Sequence, residues 1–580
     1  MAQSKATKKI ALPPISSWQK RNCPVGDHFP IVGIGTRIYH NPEYAKNNSA
    51  GNVTSKSYVT KYLSYTYLDR ESLKAMKDAG INMVQAMQGL SSVYNPSNVS
   101  VGVEIPAEMK SQSLTNQFLS AYNCNEESIG YLLRLSNPTL DADTDPKTGT
   151  INSNGITKLR NWRQNWQKVA NAFFSNEAVK GWMFWDEPTA NLFSYIGNYG
   201  TSPVATIDKW DRLRFVNLLP PIAEIRKIAG ATDAELNFDS TNVLQNMWDY
   251  YKTYLLDYQS KTKAQVISFD YYPVRRTAKI PVSDKSVAHI NLAKDPFPAI
   301  PTGKETYVFE PSFIGMLDAL RYASTRRNVS FWVHIGVMEY QSPVDMIKDD
   351  KTKIDYYEWK IPGVATPEIL KFQIYLSLAY GAQGFCYWSM WLRNNNGTEH
   401  YLTAPLEIDA TNNTIKKTAS YEAVKQANEA LEKWKYVFLN CNVRYCAPYA
   451  NVNIPGEMGA NVRPFDVNHL TSLIRSCSLS NNNGVLISML RKDGYDYVAF
   501  VNLDFQQATS IKVKFVYDMI DMGPVVDRIY RNNHGDGTQT EMDVTIITSN
   551  DDKGTTISLA KGDMKVFRVL NSGSYYNVRN

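Results

Sequence analysis

The chain has 580 residues, 43% of them apolar and 20% charged, enough to bury a large core and to exclude intrinsic disorder as its main state. Its 62 Lys and Arg against 56 Asp and Glu leave a net charge of +6. With no run of five basic residues, that balance disfavours nucleic acid as the main partner. No stretch approaches the roughly eighteen consecutive apolar residues of a membrane-spanning helix.

Residues 1–27 read as a lead-in segment. The opening Met-Ala-Gln-Ser-Lys lacks the apolar region of a signal peptide, which fits a cytoplasmic protein or an exported one whose signal peptide is not in this sequence. Eight strand-like apolar runs follow, at 30–36, 81–87, 129–136, 181–187, 213–219, 266–272, 329–336 and 382–391. The fifth competes with 234–239. Helix-period segments alternate with them at 69–80, 158–174, 243–258, 313–327, 367–381 and 419–439, and Gly80 is a stop signal for the first. Eight parallel strands in an open sheet would leave two edges to protect, so a closed (β/α)8 barrel over residues 28–440 is the economical fold.

All twelve tryptophans lie at or before Trp434. Beyond it, short strand-like runs such as "GVLISML" and "YDYVAFVN" are separated by turn-formers such as "RKDG" and "NDDKG", the pattern of an antiparallel β-sandwich at 441–580. Six cysteines (Cys23, Cys124, Cys386, Cys441, Cys446 and Cys477) are too dilute for a disulfide framework. They read as buried or idle thiols, with a Cys441–Cys446 bridge as the alternative.

In a barrel of this kind the chemistry sits where the strands end. The fourth run ends in Trp185-Asp186-Glu187-Pro188. Simple alternation puts Met183, Trp185 and Glu187 on one face, and Pro188 stops the strand behind the carboxylate. A Glu among indoles is partly desolvated and its pKa rises toward a general acid's range; the competing reading is a solvated loop acid.

The "WDEP" ending resembles the fourth-strand Asn-Glu-Pro motif that supplies the acid/base in the large clan of retaining glycoside hydrolases with (β/α)8 barrels. Asp186 stands where Asn is usual, which puts that clan's contact to the sugar 2-hydroxyl in doubt. "RFVNLLP" (214–220), "VISFDYYPV" (266–274), "LSLAYGAQGFCYWSMW" (376–391), "TAPL" (403–406) and "SYEAVKQANEAL" (420–431) look like glycosyl-hydrolase-like proteins related to family 42 β-galactosidases. The C-terminal "GVLISML", "YDYVAFVNLD" and "KGDMKVFRVL" are similar to the β-sandwich that follows the barrel there. This resemblance implies a retaining glycosidase that needs no cofactor and no metal, takes a carbohydrate substrate, and is periplasmic or secreted.

Retaining hydrolysis needs a second carboxylate about 5 to 5.5 Å from the first. The clan carries it at the end of strand seven, where Glu339 is the acid nearby; nucleophile and loop residue are equally open readings. Asp270 ends the sixth run and is expected to face the mouth and bind sugar hydroxyls. Glu310 suits a helix N-terminus. For sugar recognition the strand ends offer Trp185, Tyr271, Tyr387, Trp388 and Trp391 as flat platforms. Arg37, Gln85, Asp186, Asn217 and His334 are possible polar partners, and core packing competes for each aromatic.

The seven histidines form no HxH, HExxH or HxxxH, and GxGxxG, GxxxxGK[ST] and GxSxG do not occur, which disfavours zinc, nucleotide and serine-hydrolase chemistry. Asp141, Asp143 and Asp145 have calcium-loop spacing, yet Pro146 takes the turn position and no Glu closes the loop, so a solvated turn is the better reading. The reading is therefore a glycoside hydrolase with Glu187 and Glu339 as the catalytic pair. The alternatives are a carbohydrate-binding protein on a degenerate barrel, or a structural role for the sandwich.

Overall fold

The computed structural model describes residues 7–11, 28–36, 68–86, 112–135, 137–145, 149–220, 241–284, 290–348, 354–393, 399–409, 412, 414–450, 465–466, 473–481, 483–522 and 541–570. Arg37, Cys23, Pro146 and the competing fifth-strand segment 234–239 lie outside them.

Eight parallel strands close into a barrel: β1 (Ile31–Ile34), β2 (Met83–Gln85), β3 (Gly130–Arg134), β4 (Val179–Asp186), β5 (Leu213–Leu218), β6 (Val266–Asp270), β7 (Ser330–Gly336) and β8 (Gly384–Trp388). β8 returns to β1 with Phe385 opposite Ile31 and Tyr387 opposite Gly33. Helices α1 (Arg70–Asp78), α2 (Gln112–Glu126), α3 (Ser153–Ala172), α4 (Thr241–Thr262), α5 (Ser312–Arg327), α6 (Pro367–Tyr380) and α7 (Ala419–Phe438) accompany the strands.

Local chemistry sets their ends. The Asp69 carboxylate accepts from the Ser72 amide at 3.0 Å to cap α1. Gly80 follows that helix at φ +82°, where a Cβ would meet Asn428 at 2.9 Å. Thr366 caps α6, Pro367 fills its first turn, and Gly381 ends it in the left-handed region.

The strands are near-continuous apolar runs because both faces are buried. Val32, Ile34, Met83, Leu132, Met183, Leu213, Phe215, Val266, Trp332 and Cys386 fill the barrel. The outward residues pack under the helices in the main core.

β4 departs from simple alternation. Its pairing with β5 shifts between Met183 and Asp186, so one residue is looped out of register. Met183 faces the barrel interior. Phe184 and Trp185 both turn outward, Phe184 onto Trp166 with centroids 4.5 Å apart and Trp185 onto Trp162 at 5.3 Å. The expectation that Met183, Trp185 and Glu187 share one face is corrected accordingly.

The chain after β6 and β7 adds a four-stranded antiparallel sheet that the sequence reading did not anticipate. Its order is Asp345–Ile347, Tyr356–Pro362, Val274–Pro281, Thr306–Phe309. Ala278, Ile280 and Trp359 on one of its faces form a small core with Val344.

After α7 come two antiparallel sheets. The larger has seven strands, among them Asn442–Tyr449, Val485–Lys492, Tyr495–Asn502 and Met564–Val569, and its far edge is Thr7–Ala11 paired with Glu541–Ile547. The smaller joins Ile474–Leu479, Thr509–Phe515 and Thr555–Leu559. Ile487, Phe500 and Phe567 face the smaller sheet, whereas Leu486, Leu490 and Val501 join the barrel's core. Ser488 donates to the carbonyl of Ala379 in α6 at 2.6 Å. The large sheet is thus buried on both sides, which explains its unbroken apolar runs. No disulfide joins the described cysteines.

Candidate active site

Above the apolar layers, the strand ends carry a polar layer. Parallel pairing aligns Asp186 with Asn217 and Asn217 with Ser268, and one step higher Asp270 with His334 and His334 with Cys386. Asp186 accepts from Arg134 Nη2 at 3.2 Å and from Asn217 Nδ2 at 3.1 Å. The displaced register at Trp185 is what brings Asp186 onto this inner face. Its charge is thereby held by a guanidinium and an amide.

Glu187 follows directly, at φ +50°, an uncommon left-handed setting for a non-glycine residue that costs of order 1–3 kcal/mol. Its amide donates to the Asn217 carbonyl at 2.8 Å, which fixes the turn. Its side chain shares the lining of one cavity with Asp270 from the end of β6. Burial first, and then the negative charges of Glu187 and Asp186, hold the Asp270 proton on well above the ordinary carboxyl range. Asp270 keeps some exposure to the cavity, yet its Oδ1 is sealed and has no hydrogen-bond partner among the described residues.

Glu187 and Asp270 open onto a cavity of about 380 Å³ with Pro220, Tyr271, Tyr272, Arg275, Tyr340 and Lys360 among its lining. Trp388, at the end of β8, lies behind this lining. Tyr272 stacks on its ring with centroids 5.6 Å apart and an interplanar angle of 12°, and Tyr340 meets it edge-on at 5.9 Å. Burial, and then the charge of Asp270, raises the Tyr272 hydroxyl's pKa. Both hydroxyls stay protonated donors, since burial also raises Tyr340. Tyr271 donates to Glu310 at 2.9 Å and stacks on Phe313; burial pushes its pKa up to about 12. Glu310 also accepts from Arg275 at 2.9 Å, just ahead of α5.

His334, in register with Asp270 on the neighbouring strand, is buried. Burial depresses its pKa to about 4, with Asp186 opposing that shift and Arg134 adding to it. It is a neutral imidazole at neutral pH, and its Nε2 has no hydrogen-bond partner among the described residues. Gln85 sits at the end of β2, fully buried, with its Oε1 likewise unmatched.

Other predicted residues stand elsewhere. Glu339 begins a short strand, Glu339–Gln341, paired with His400–Thr403. Alternation there sends Tyr340 to the cavity and Glu339 to Arg276 Nη2, 2.8 Å away. Glu339 is thus held by Arg276, while Asp270 is the acid that shares a cavity lining with Glu187.

Three of the expected platforms are packed inside instead. Trp185 lies against α3 for the reason already given. Tyr387 alternates outward on β8 and donates to Asn428 of α7 at 2.7 Å. Trp391 is buried in the main core. Asp143 of the acidic run binds Lys158 at 2.6 Å and Asn154 at 2.7 Å, and Lys158 above all lowers its pKa. Among the described residues no cluster of His, Cys, Asp and Glu could hold a metal ion, and no helix is long and apolar enough to cross a membrane.

Sequence reasoning missed Tyr272, Arg275, Tyr340 and Lys360. The clue to the last was "EWKI" (358–361), whose polar and apolar residues alternate as in a half-buried strand.

No family model and no curated protein matches the chain. Solved structures do. A family 1 β-glucosidase from Thermotoga maritima is 10% identical, with 69% of this chain and 98% of that one covered at a TM-score of 0.34. A β-glucosidase from Pyrococcus furiosus is 12% identical over 72% and 96%, at 0.35. A β-galactosidase from Marinomonas is 13% identical over 70% and 60%, at 0.31. These are glycosidases, as the sequence resemblance implied at the level of barrel hydrolases; the narrower likeness to family 42 is not shown by them. Likeness this distant carries no argument about activity, and the barrel rests on its own strand order.

Proposed function

We propose that this chain is a glycoside hydrolase that cleaves O-glycosidic bonds at the cavity above β4 and β6. One observation carries the reading: Glu187 and Asp270, on strands that are not neighbours, line one tyrosine-walled cavity, and the charge of Glu187 helps to raise the pKa of Asp270. A half-buried pair of acids, one of them held back from ionising, supplies what glycoside cleavage requires, a donor for the leaving oxygen and an anion for the positive charge that develops at the anomeric carbon.

In this reading Glu187 protonates the leaving oxygen and later takes a proton from water. Asp270 replaces Glu339 as the second carboxylate, because Glu339 is occupied by Arg276. A retaining mechanism requires the two carboxyls to stand roughly 5 Å apart around the bound sugar. Tyr272 and Tyr340 donate to ring hydroxyls, and Trp388 backs the Tyr272 ring from behind.

The second reading, a carbohydrate-binding protein on a catalytically silent barrel, is favoured by the raised pKa of Asp270, which leaves the site short of the ionised nucleophile that retaining cleavage needs. Hydrolysis of a panel of chromogenic glycosides and glycans by the wild type, Glu187→Gln and Asp270→Asn decides. Turnover in the wild type that both substitutions abolish supports the hydrolase. Glycan binding that survives in all three proteins, without turnover in any, selects the binding protein.

A further inference from the structure

The accessory sheet has two unlike faces. Antiparallel pairing aligns Arg275 with Val308 and Pro362, Thr277 with Thr306 and Lys360, and Lys279 with Glu358, which in turn faces Asp345. These side chains share one face, and the row ends with Tyr356, whose ring carries the Lys279 ammonium at 4.5 Å from its centroid. The opposite face carries Ala278, Ile280, Trp359 and Ile361, all buried. The polar face is therefore the open one, as the alternation of exposure along Tyr356–Pro362 also shows.

That open face is continuous with the cavity. Arg275, Asp345, Glu358, Lys360 and Pro362 line the space into which Glu187 and Asp270 point. Tyr356 and Lys279 lie farther along the same face, away from Pro362. A seven-residue strand such as Tyr356–Pro362 spans about 23 Å, more than a cavity of this volume holds. The charges on the face cancel locally: Lys360 binds Glu358 at 3.1 Å and Asp345 at 3.7 Å, Arg275 binds Glu310, and Lys279 rests on a ring beside Glu358. A surface of fixed donors and acceptors with balanced charge and a ring at its far end suits a chain of neutral hydroxylated sugars, and gives a polyanion no net attraction.

We propose that the open face of this sheet is an extended subsite that holds a neutral oligosaccharide chain leading out of the cavity, with Tyr356 as its distal platform. The inference rests on the site assignment above and deepens it, since it makes an oligosaccharide rather than a simple glycoside the preferred ligand.

The test uses the full chain carrying Glu187→Gln, titrated calorimetrically with cello-, manno-, xylo- and galacto-oligosaccharides from disaccharide to hexasaccharide, and with oligogalacturonates as the polyanion. In at least one neutral series the hexasaccharide should bind about tenfold or more tighter than the disaccharide. Tyr356→Ala and, separately, Lys279→Ala should each shrink that ratio severalfold. Met346→Ala, on the opposite face, should leave it intact, and melting curves confirm that each variant is folded. Equal affinity for short and long chains, a ratio untouched by Tyr356→Ala and Lys279→Ala, preference for oligogalacturonate, or no binding in any series overturns the proposal. If Glu187-dependent hydrolysis of short glycosides persists alongside such a failure, the subsite falls and the hydrolase reading stands. Length-dependent binding without hydrolysis of any glycan by the wild type does the reverse.

Discussion

Asp270→Asn tests the acid pair through stability as well as turnover. The Asp270 carboxyl is sealed at Oδ1 and placed near the charges of Glu187 and Asp186. Its folded pKa therefore lies well above the value of about 3.9 expected when the chain is unfolded. The native state binds this proton more tightly than the unfolded state. The stabilisation is complete below about pH 4 and is lost as pH rises from there toward the folded pKa. The loss is about 1.4 kcal/mol for each pH unit crossed between the unfolded and folded pKa values.

Asparagine has nearly the same shape, never ionises, and can donate to Glu187. The variant should match the wild type in thermal stability near pH 4 and exceed it increasingly toward neutrality, by several degrees at most for a chain of this length. Calorimetric melting of both proteins at constant ionic strength across that range measures the difference. A difference that stays flat, or narrows as pH rises, would refute the raised pKa of Asp270. In the same variant hydrolysis should fall by about a hundredfold or more, so the gain in stability would come at the expense of chemistry.

Glu187→Gln should reduce turnover by about 10²–10⁴-fold with little change in melting temperature, whereas Glu339→Gln, which loosens Arg276, should reduce it far less; kcat measured on one chromogenic glycoside compares them. Trp185→Ala should destabilise the barrel by about 3–5 kcal/mol, as loss of a large buried ring does, and calorimetry should register this as a lower melting temperature. His334, depressed from 6.5 to about 4, contributes stability that is present above about pH 6.5 and lost as pH falls to about 4, some 3 kcal/mol in all; His334→Gln should flatten that part of the acid melting profile. Gly363→Ala should fold poorly, because its Cβ would lie 2.0 Å from the Met338 carbonyl at a φ of +78°, and soluble yield reports it.

The barrel was legible because its strands, buried on both faces, appear as eight apolar runs spaced by helical patterns. Glu187 was legible because Pro188 marks the strand end and because the tetrapeptide matches a known motif. Period-two counting failed at Trp185, since a bulge is a property of strand pairing and leaves no mark in one strand's own composition. It failed again at Glu339, where proximity to a strand end in sequence does not say which way the next strand will turn the side chain. Asp270 was seen as a mouth residue but not as the partner of Glu187, because contact across two non-adjacent strands depends on the barrel's stagger. Tyr387 and Trp391 lie on the run whose resemblance was strongest; their rings serve the packing that such a run mainly encodes.

The large C-terminal sheet lies directly on α6, a helix whose residues from Ile369 to Tyr380 are nearly all buried. Cutting the chain after α7 would leave that helix wet along one side and apolar around its whole circumference, so a shortened barrel should aggregate rather than stand alone. The appendage is in this sense a missing wall of the barrel, and both lobes should melt in a single transition.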